Sequence, residues 1–250
     1  MLKLPSSPRP APRPGSNGAH GFRYEATEAF AETKAGVDYV MARPALRRLI
    51  GTSFFVIMFG FNYVAFYPAM IEGQFGLGKS WVGYISSAGA FGAVFVSVPL
   101  AARANSAWAK VVMTAAGLCF GLGVIAFAVA PSFWVAFAVI FFVGGSTTIY
   151  QSLSNTLALG MADDAHQGRV QSLMQLSFAG FGIAAFPLGG LAELIGLRPT
   201  IVLMGLIAAS SALAFAVLQG GWNGLRPKRL VLGASLNDDV DLARSPAAGS

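Results

Sequence analysis

Charge is what this sequence has least of. Only 11% of its 250 residues are Asp, Glu, Lys or Arg, and none of these lies between Val111 and Ala162. Soluble domains are usually about one-quarter charged, so a water-solvated fold is the first thing excluded. Cysteine is nearly absent: Cys119 stands alone in an apolar run, which rules out a disulfide framework, a CxxC pair and a thiolate metal site. Histidine occurs only as His20, in a Pro- and Arg-rich stretch, and His166, in a polar loop. A serine nucleophile needs a base within hydrogen-bond reach, so Gly144-Gly145-Ser146 is not read as an intramembrane protease, and no catalytic residue, cofactor or metal is expected. The interior of each apolar run also lacks ionisable groups, which excludes a proton relay or voltage sensor built from this chain. Residues 1–48 contain no apolar core region, so no cleavable signal peptide is expected.

What is abundant is apolar surface. Hydrophobic residues make up 55% of the chain, with a mean hydropathy of +0.61. Residues 1–20, rich in Pro, Arg, Ser and Gly, are expected to be a disordered tail. Residues 21–48 read as a cytoplasmic or interfacial lead-in helix with a break at Pro44. Apolar runs follow at about 49–71, 80–102, 111–130, 133–157, 170–192 and 200–219, the third and fourth separated at Pro131-Ser132. Each is long enough to cross roughly 30 Å of hydrocarbon. The expected fold is an all-α membrane protein with six transmembrane helices over residues 49–220, then a cytoplasmic tail over 221–250.

The net charge of +6 is not laid along one helix face with interleaved aromatics, so nucleic acid is not an expected partner. It reads instead as topology. With the N-terminus in the cytoplasm, fifteen Lys and Arg fall on that side and two, Lys79 and Arg198, on the other. The positive-inside rule then places both termini in the cytoplasm and the chain in the cell (inner) membrane, with the lipid bilayer as its first partner.

An offset of 88 residues brings Gly92 onto Gly180, Pro99-Leu100 onto Pro187-Leu188 and Gly117 onto Gly205. Three-helix units repeated once across a membrane must be inverted, so the six helices are read as two inverted repeats. Chance matching between Gly- and Leu-rich segments is the competing account. Two GxGxx(G/A) matches, at Gly121 and Gly180, follow no strand and are dismissed as dinucleotide sites. Gly117 with Gly121, and Gly180 with Ala184, instead set small residues one turn apart, which lets helix backbones approach in lipid.

Polar residues within the runs form stripes. Asn62 with Phe66, and Tyr63 with Tyr67, are one turn apart on the first span; Thr148, Gln151 and Asn155 share a face of the fourth; Gln171 and Gln175 do so on the fifth. An amide against lipid is unsatisfied, so these stripes should face inward. Two roles fit them equally: interhelical hydrogen-bond glue, or the lining of a path for a small-molecule solute. Asp163 and Asp164 precede the fifth helix, where the helix dipole favours negative charge. Capping and a gate ion pair are both open for them.

Asn155-Thr156-Leu157, Asp164, Gly168-Arg169-Val170, Ser172-Leu173, Pro187-Leu188-Gly189-Gly190, Ala192-Glu193 and Gly196-Leu197-Arg198 together resemble spans ten to twelve of major facilitator superfamily transporters, especially the drug and siderophore exporter-like branch. Arg43-Pro44-Ala45-Leu46-Arg47 is similar to the lead-in to span seven. The resemblance covers residues 40–220 and implies the second six-helix half of a twelve-span efflux-type transporter. It also implies Asp164 and Arg169 as gating residues. Departures are the missing acid in Pro99-Leu100-Ala101-Ala102-Arg103-Ala104-Asn105-Ser106 and Gln167 where the family often has Arg. The function implied is alternating-access transport of a small hydrophobic or amphipathic solute, with Asn62, Tyr63, Tyr67, Thr148, Gln151, Asn155, Gln171 and Gln175 on its path. Completing the cavity requires a homodimer or a separately encoded N-terminal half. The alternative is a non-transporting protein that keeps the fold as a remnant or regulatory partner.

The topology is testable by labelling introduced cysteines with a membrane-impermeant reagent from outside intact cells. Cysteines beside Lys79 should react and those beside Gln167 should not. The reverse pattern overturns the orientation.

Overall fold

The computed structural model describes residues 34–101 and 108–219. The expected tails at 1–20 and 221–250, the first part of the lead-in and most of the loop after Pro99-Leu100 therefore lie outside the described residues. Everything described is helix or short connection. Helix α1 covers residues 34–42. Arg43 is extended (φ −112°, ψ 103°), as a residue before proline tends to be, and Pro44 then opens α2, where its missing N–H costs no helical bond. The first span thus begins at Pro44, five residues earlier than the apolar run suggests.

Helix α2, Pro44–Gly73, is not uniform. Ordinary α-helix to Phe55 widens into a π turn over Val56–Gly60, tightens to a 3-10 segment over Phe61–Phe66, and resumes as α-helix at Tyr67–Gly73. Pro68 explains the second change. It has no N–H to give the Val64 carbonyl, which accepts instead from the Tyr67 N–H in the tighter 3-10 pattern. The remaining helices are α3 Trp81–Ala101, α4 Ala109–Ala128, α5 Phe133–Gly160, α6 Gln167–Ile195 and α7 Leu197–Leu218. Among the described residues, five helices are long and apolar enough to cross a membrane, namely α2, α4, α5, α6 with the 3-10 turn before it, and α7; α3 has 21 residues and an apolar stretch Trp81–Ser97. The α6–α7 corner is a single residue, Gly196, at φ 96°, a conformation that a side chain would strain.

Helix α3 packs most extensively on α5, and α4 on both α5 and α7; α2 lies against α7 and α6. The α3–α5 contact runs parallel, with Trp81 meeting Phe133 at one end and Val96 meeting Gly145 farther along. Lipid tails are as apolar as leucine, so such contacts depend on close packing rather than on a hydrophobic drive. Here it is backbone to backbone. A Cβ on Gly92 would collide with the Phe141 carbonyl, and one on Gly144 with the backbone of Gly89. Gly121 and Gly205 play the same part between α4 and α7, where a Cβ on Gly121 would sit 2.7 Å from the Gly205 oxygen. Gly117 meets Ala212 and Tyr150, whereas Gly180 makes only ordinary contact with Met58 and Phe54.

Helix α6 is the least enclosed. Leu176, Ile183, Phe186 and Leu194 on its outer side are exposed, Phe186 to 87%. The two ends of the bundle differ in charge. Arg43, Arg47, Arg48, Lys110 and Arg169 stand at helix ends on one side, with Arg48 donating to the Leu218 carbonyl, and Lys79 and Arg198 lie on the other, where Arg198 reaches the Ala130 carbonyl. Exposed Tyr84 and Trp134 cluster with Trp81 near that second end, as aromatic side chains do at a membrane interface.

Substitution of Gly92 or Gly144 by Ala should lower stability by about 1–3 kcal/mol or more, because backbone must move to admit the methyl. Gly182→Ala on α6 is the control: its Cβ would meet nothing within 4 Å. Thermal unfolding in detergent separates the cases, and equal midpoints for Gly92→Ala and Gly182→Ala would refute the close-approach account.

Candidate functional site

The break in α2 places its polar residue at the seam between helices. Asn62 is fully buried, and its amide nitrogen donates to the Met58 carbonyl within the π turn and, at 3.2 Å, to the Phe181 carbonyl on α6. Both partners are acceptors, which fixes the amide orientation with nitrogen toward them. The Asn62 Oδ1 atom is buried with no hydrogen-bond partner among the described residues. An unpaired acceptor at this depth costs about 1–3 kcal/mol and is the kind of group a water or a bound solute would satisfy.

Tyr63 and Tyr67 point elsewhere. Their rings meet edge-on at 5.6 Å, and both pack edge-on against Phe127 of α4 at 6.4 Å and 5.6 Å, inside the apolar core. Thr148, Gln151 and Asn155 keep one face of α5 and are half-buried; the Thr148 hydroxyl donates to the Gly144 carbonyl. Gln171 is half-buried and Gln175 exposed on the outer side of α6. No side-chain hydrogen bond joins these three groups to one another among the described residues. A polar chain that the stripes did not single out does link two helices: Tyr150 donates to Ser53 Oγ at 3.3 Å, and Ser53 shares a 2.7 Å bond with Ser154, tying α2 to α5 in the core. Its signal was weak, because single serines in apolar runs usually bond their own helix.

At the basic end, α1 is strapped to the α5–α6 connection. Arg43 pairs with Asp163 at 2.6 Å, and its guanidinium lies 3.8 Å over the Tyr39 ring centroid. Tyr39 also stacks on His166 at 4.1 Å and accepts through its hydroxyl from the Asp163 N–H. Asp164 accepts from the Gln167 amide three residues on, and Arg169 is exposed, with its Cβ beside Gly36 of α1. The ion pair at this end is therefore made by Asp163 with Arg43, while Asp164 and Arg169 are not joined by a salt bridge. With the pair's side chains 39% and 62% exposed, it holds α1 in place more through the assembled cluster than through its own energy, which is at most about 1 kcal/mol.

Residues 48–233 match the family model of the Major Facilitator Superfamily. That is most of the chain, and the chain belongs to this superfamily of membrane transporters. Compared with curated proteins, it matches none.

The role of the α2–α6 amide link can be read directly. Asn62→Leu removes the only side-chain hydrogen bond joining α2 and α6 among the described residues; the lost link, about 0.6–2 kcal/mol in lipid, is offset in global stability by relief of the unpaired Oδ1, so the effect is read locally. Hydrogen exchange should then rise in α6 while α3 and α5 stay protected. Uniform change across all helices would show that the amide does not act at this seam.

Proposed function

We propose that this chain forms one six-helix half of an alternating-access transporter of the exporter-like type, carrying a small hydrophobic or amphipathic solute. The observation that carries the reading is the discontinuous helix α2, with buried Asn62 and its unpaired oxygen at the break. Within membranes, irregular backbone is tolerated where it lines a cavity, and solute sites form at broken helices near the midplane.

The helix neighbourhoods support two inverted three-helix repeats. Exchanging α2 with α5, α3 with α6 and α4 with α7 turns the α3–α5 contact into α6–α2 and the α4–α5 contact into α7–α2, and all four are present. The amide stripes then take different roles. Asn62 forms a polar point at the seam, while Thr148, Gln151 and Asn155 line the half-exposed face of α5. Asp163 with Arg43, supported by Tyr39 and His166, would latch the basic end, with Asp164 and Arg169 beside it. By the basic-residue count this end is cytoplasmic.

A second six-helix unit would close the cavity, from a homodimer partner or an N-terminal half encoded elsewhere. Gln175 argues for it. It sits eight residues into α6, roughly 12 Å along the axis, on the same exposed side as Ile183 and Phe186, where lipid would leave its amide unsatisfied. Purified chain reconstituted at high lipid-to-protein ratio, with copies counted by single-molecule bleaching, should show no uptake in vesicles holding one copy. Uptake should appear with a second copy or a co-reconstituted first half. Transport by single copies would sink the half-transporter reading.

A further inference from the structure

We propose that the chain binds an anionic phospholipid of the surrounding leaflet in a groove between α1, the start of α2 and α6, with the lipid phosphate on Arg47. The groove measures about 380 Å³, within the usual range for small-molecule sites. Its walls are Val40 and Met41 of α1, Ile50 and Phe54 of α2, and Leu173 and Leu176 of α6. Among the described residues, two polar side chains line it, Ser177 and Arg47. The Ser177 hydroxyl donates to the Leu173 carbonyl in its own helix, so the floor offers a polar ligand no free donor. An apolar chain suits it, and the groove is open on the side, as a chain entering from lipid requires.

The charge at its mouth selects the other end of the occupant. Three arginines crowd the start of α2, and two are engaged: Arg43 by Asp163, Arg48 by the Leu218 carbonyl. Arg47 is exposed, lines the groove and makes no ion pair among the described residues. The acids nearest in sequence do not serve it, since Asp38 is not among the lining residues and Asp163 is taken by Arg43. A guanidinium one turn inside the helix start, beside the α1–α2 break, stands where lipid phosphates lie and binds phosphate bidentately. An anionic headgroup with an acyl chain satisfies both parts of the site. Gly51 gives the groove its depth, since a Cβ there would meet nothing within 4 Å.

The test uses the full chain exchanged into mixed micelles of phosphatidylglycerol and phosphatidylcholine, with retained lipids counted by native mass spectrometry. Phosphatidylglycerol should be retained in preference to phosphatidylcholine. Arg47→Gln should cut that retention about tenfold, as loss of a charge-assisted hydrogen bond implies, and Arg47→Lys should keep part of it. Gly51→Leu, at a lining position where a Cβ would meet nothing within 4 Å, should displace both lipids while leaving the unfolding midpoint unchanged. Arg198→Gln, at the far end, should change nothing. Equal retention of the two lipids, or retention unaltered by both Arg47→Gln and Gly51→Leu, overturns the site. So does a photocrosslinker at Leu176 that captures a second copy of the chain in place of lipid.

Discussion

The bundle depends on helices meeting without side chains between them. In water, α3 and α5 could be held by burying apolar area, but in lipid both faces are apolar before and after contact, and that drive is gone. What remains is van der Waals packing, which falls off steeply with separation. Gly89, Gly92, Gly144 and Gly145 let the α3 and α5 backbones touch, and Gly121 with Gly205 does the same for α4 and α7. Helix α4 joins the two pairs, with Val143 of α5 against Gly123 and Tyr150 of α5 against Gly117. These four helices are the most closely packed part of the structure.

The seams of α2 follow a different rule. Beside apolar contacts such as Phe61 against Phe178, it is joined to α5 and α6 by polar links: Ser53 to Ser154 and Tyr150 on one side, Asn62 to the Phe181 carbonyl on the other. Hydrogen bonds at this depth are directional and few, so α2 can change pitch along its length while staying attached at chosen points. The π turn at Val56–Gly60 and the 3-10 segment at Phe61–Phe66 are that change of pitch. Irregular helix would be costly against lipid; it is tolerable here because Asn62 answers a carbonyl inside the π turn. Polar chemistry and helix distortion thus occur at the same place for one reason.

The order of helices was legible in the sequence because the bilayer demands long uncharged runs, and most ends fell within a few residues of the apolar boundaries. The first span was the exception. Pro44 reads as a break from composition, but as the first residue of a helix it is a start, so α2 reaches back over Arg47 and Arg48. The Gly117 and Gly121 spacing was readable as packing. Gly144 and Gly145 have no such spacing and stand next to Ser146 in a motif that resembles a serine site, yet they meet α3 backbone. The stripes at Asn62, Tyr63 and Tyr67 were visible as periodicity, yet adjacent positions differ by about 100° on an α-helix and about 120° in the 3-10 segment that holds Asn62 and Tyr63. Asn62 therefore faces α6 while Tyr63 faces α4, and which neighbour each would meet could not follow from one helix alone. Ser53, Tyr150 and Ser154 were illegible for the same reason: their link spans about a hundred residues of chain.

The contrast between seams bears on how such a unit could move. The alternating access proposed for it requires that some interfaces slide or part while others stay closed. Interfaces made by backbone contact at Gly92 and Gly144 cannot slip by a fraction of a turn without collision, since the neighbouring carbonyls occupy the space a shifted side chain would need. The α6 seam has ordinary contacts at Gly180, one amide link from Asn62, and an outer face left open. Its first turn adjoins the Arg43, Asp163, Tyr39 and His166 cluster, which fastens α1 to the connection leading into α6. A displacement of α6 would therefore act on α1, on the Asn62 amide and, through the single-residue corner at Gly196, on α7, while the α3–α5 contact held. Among helices α2 to α7, α6 makes the fewest close contacts with its neighbours and adjoins both polar latches.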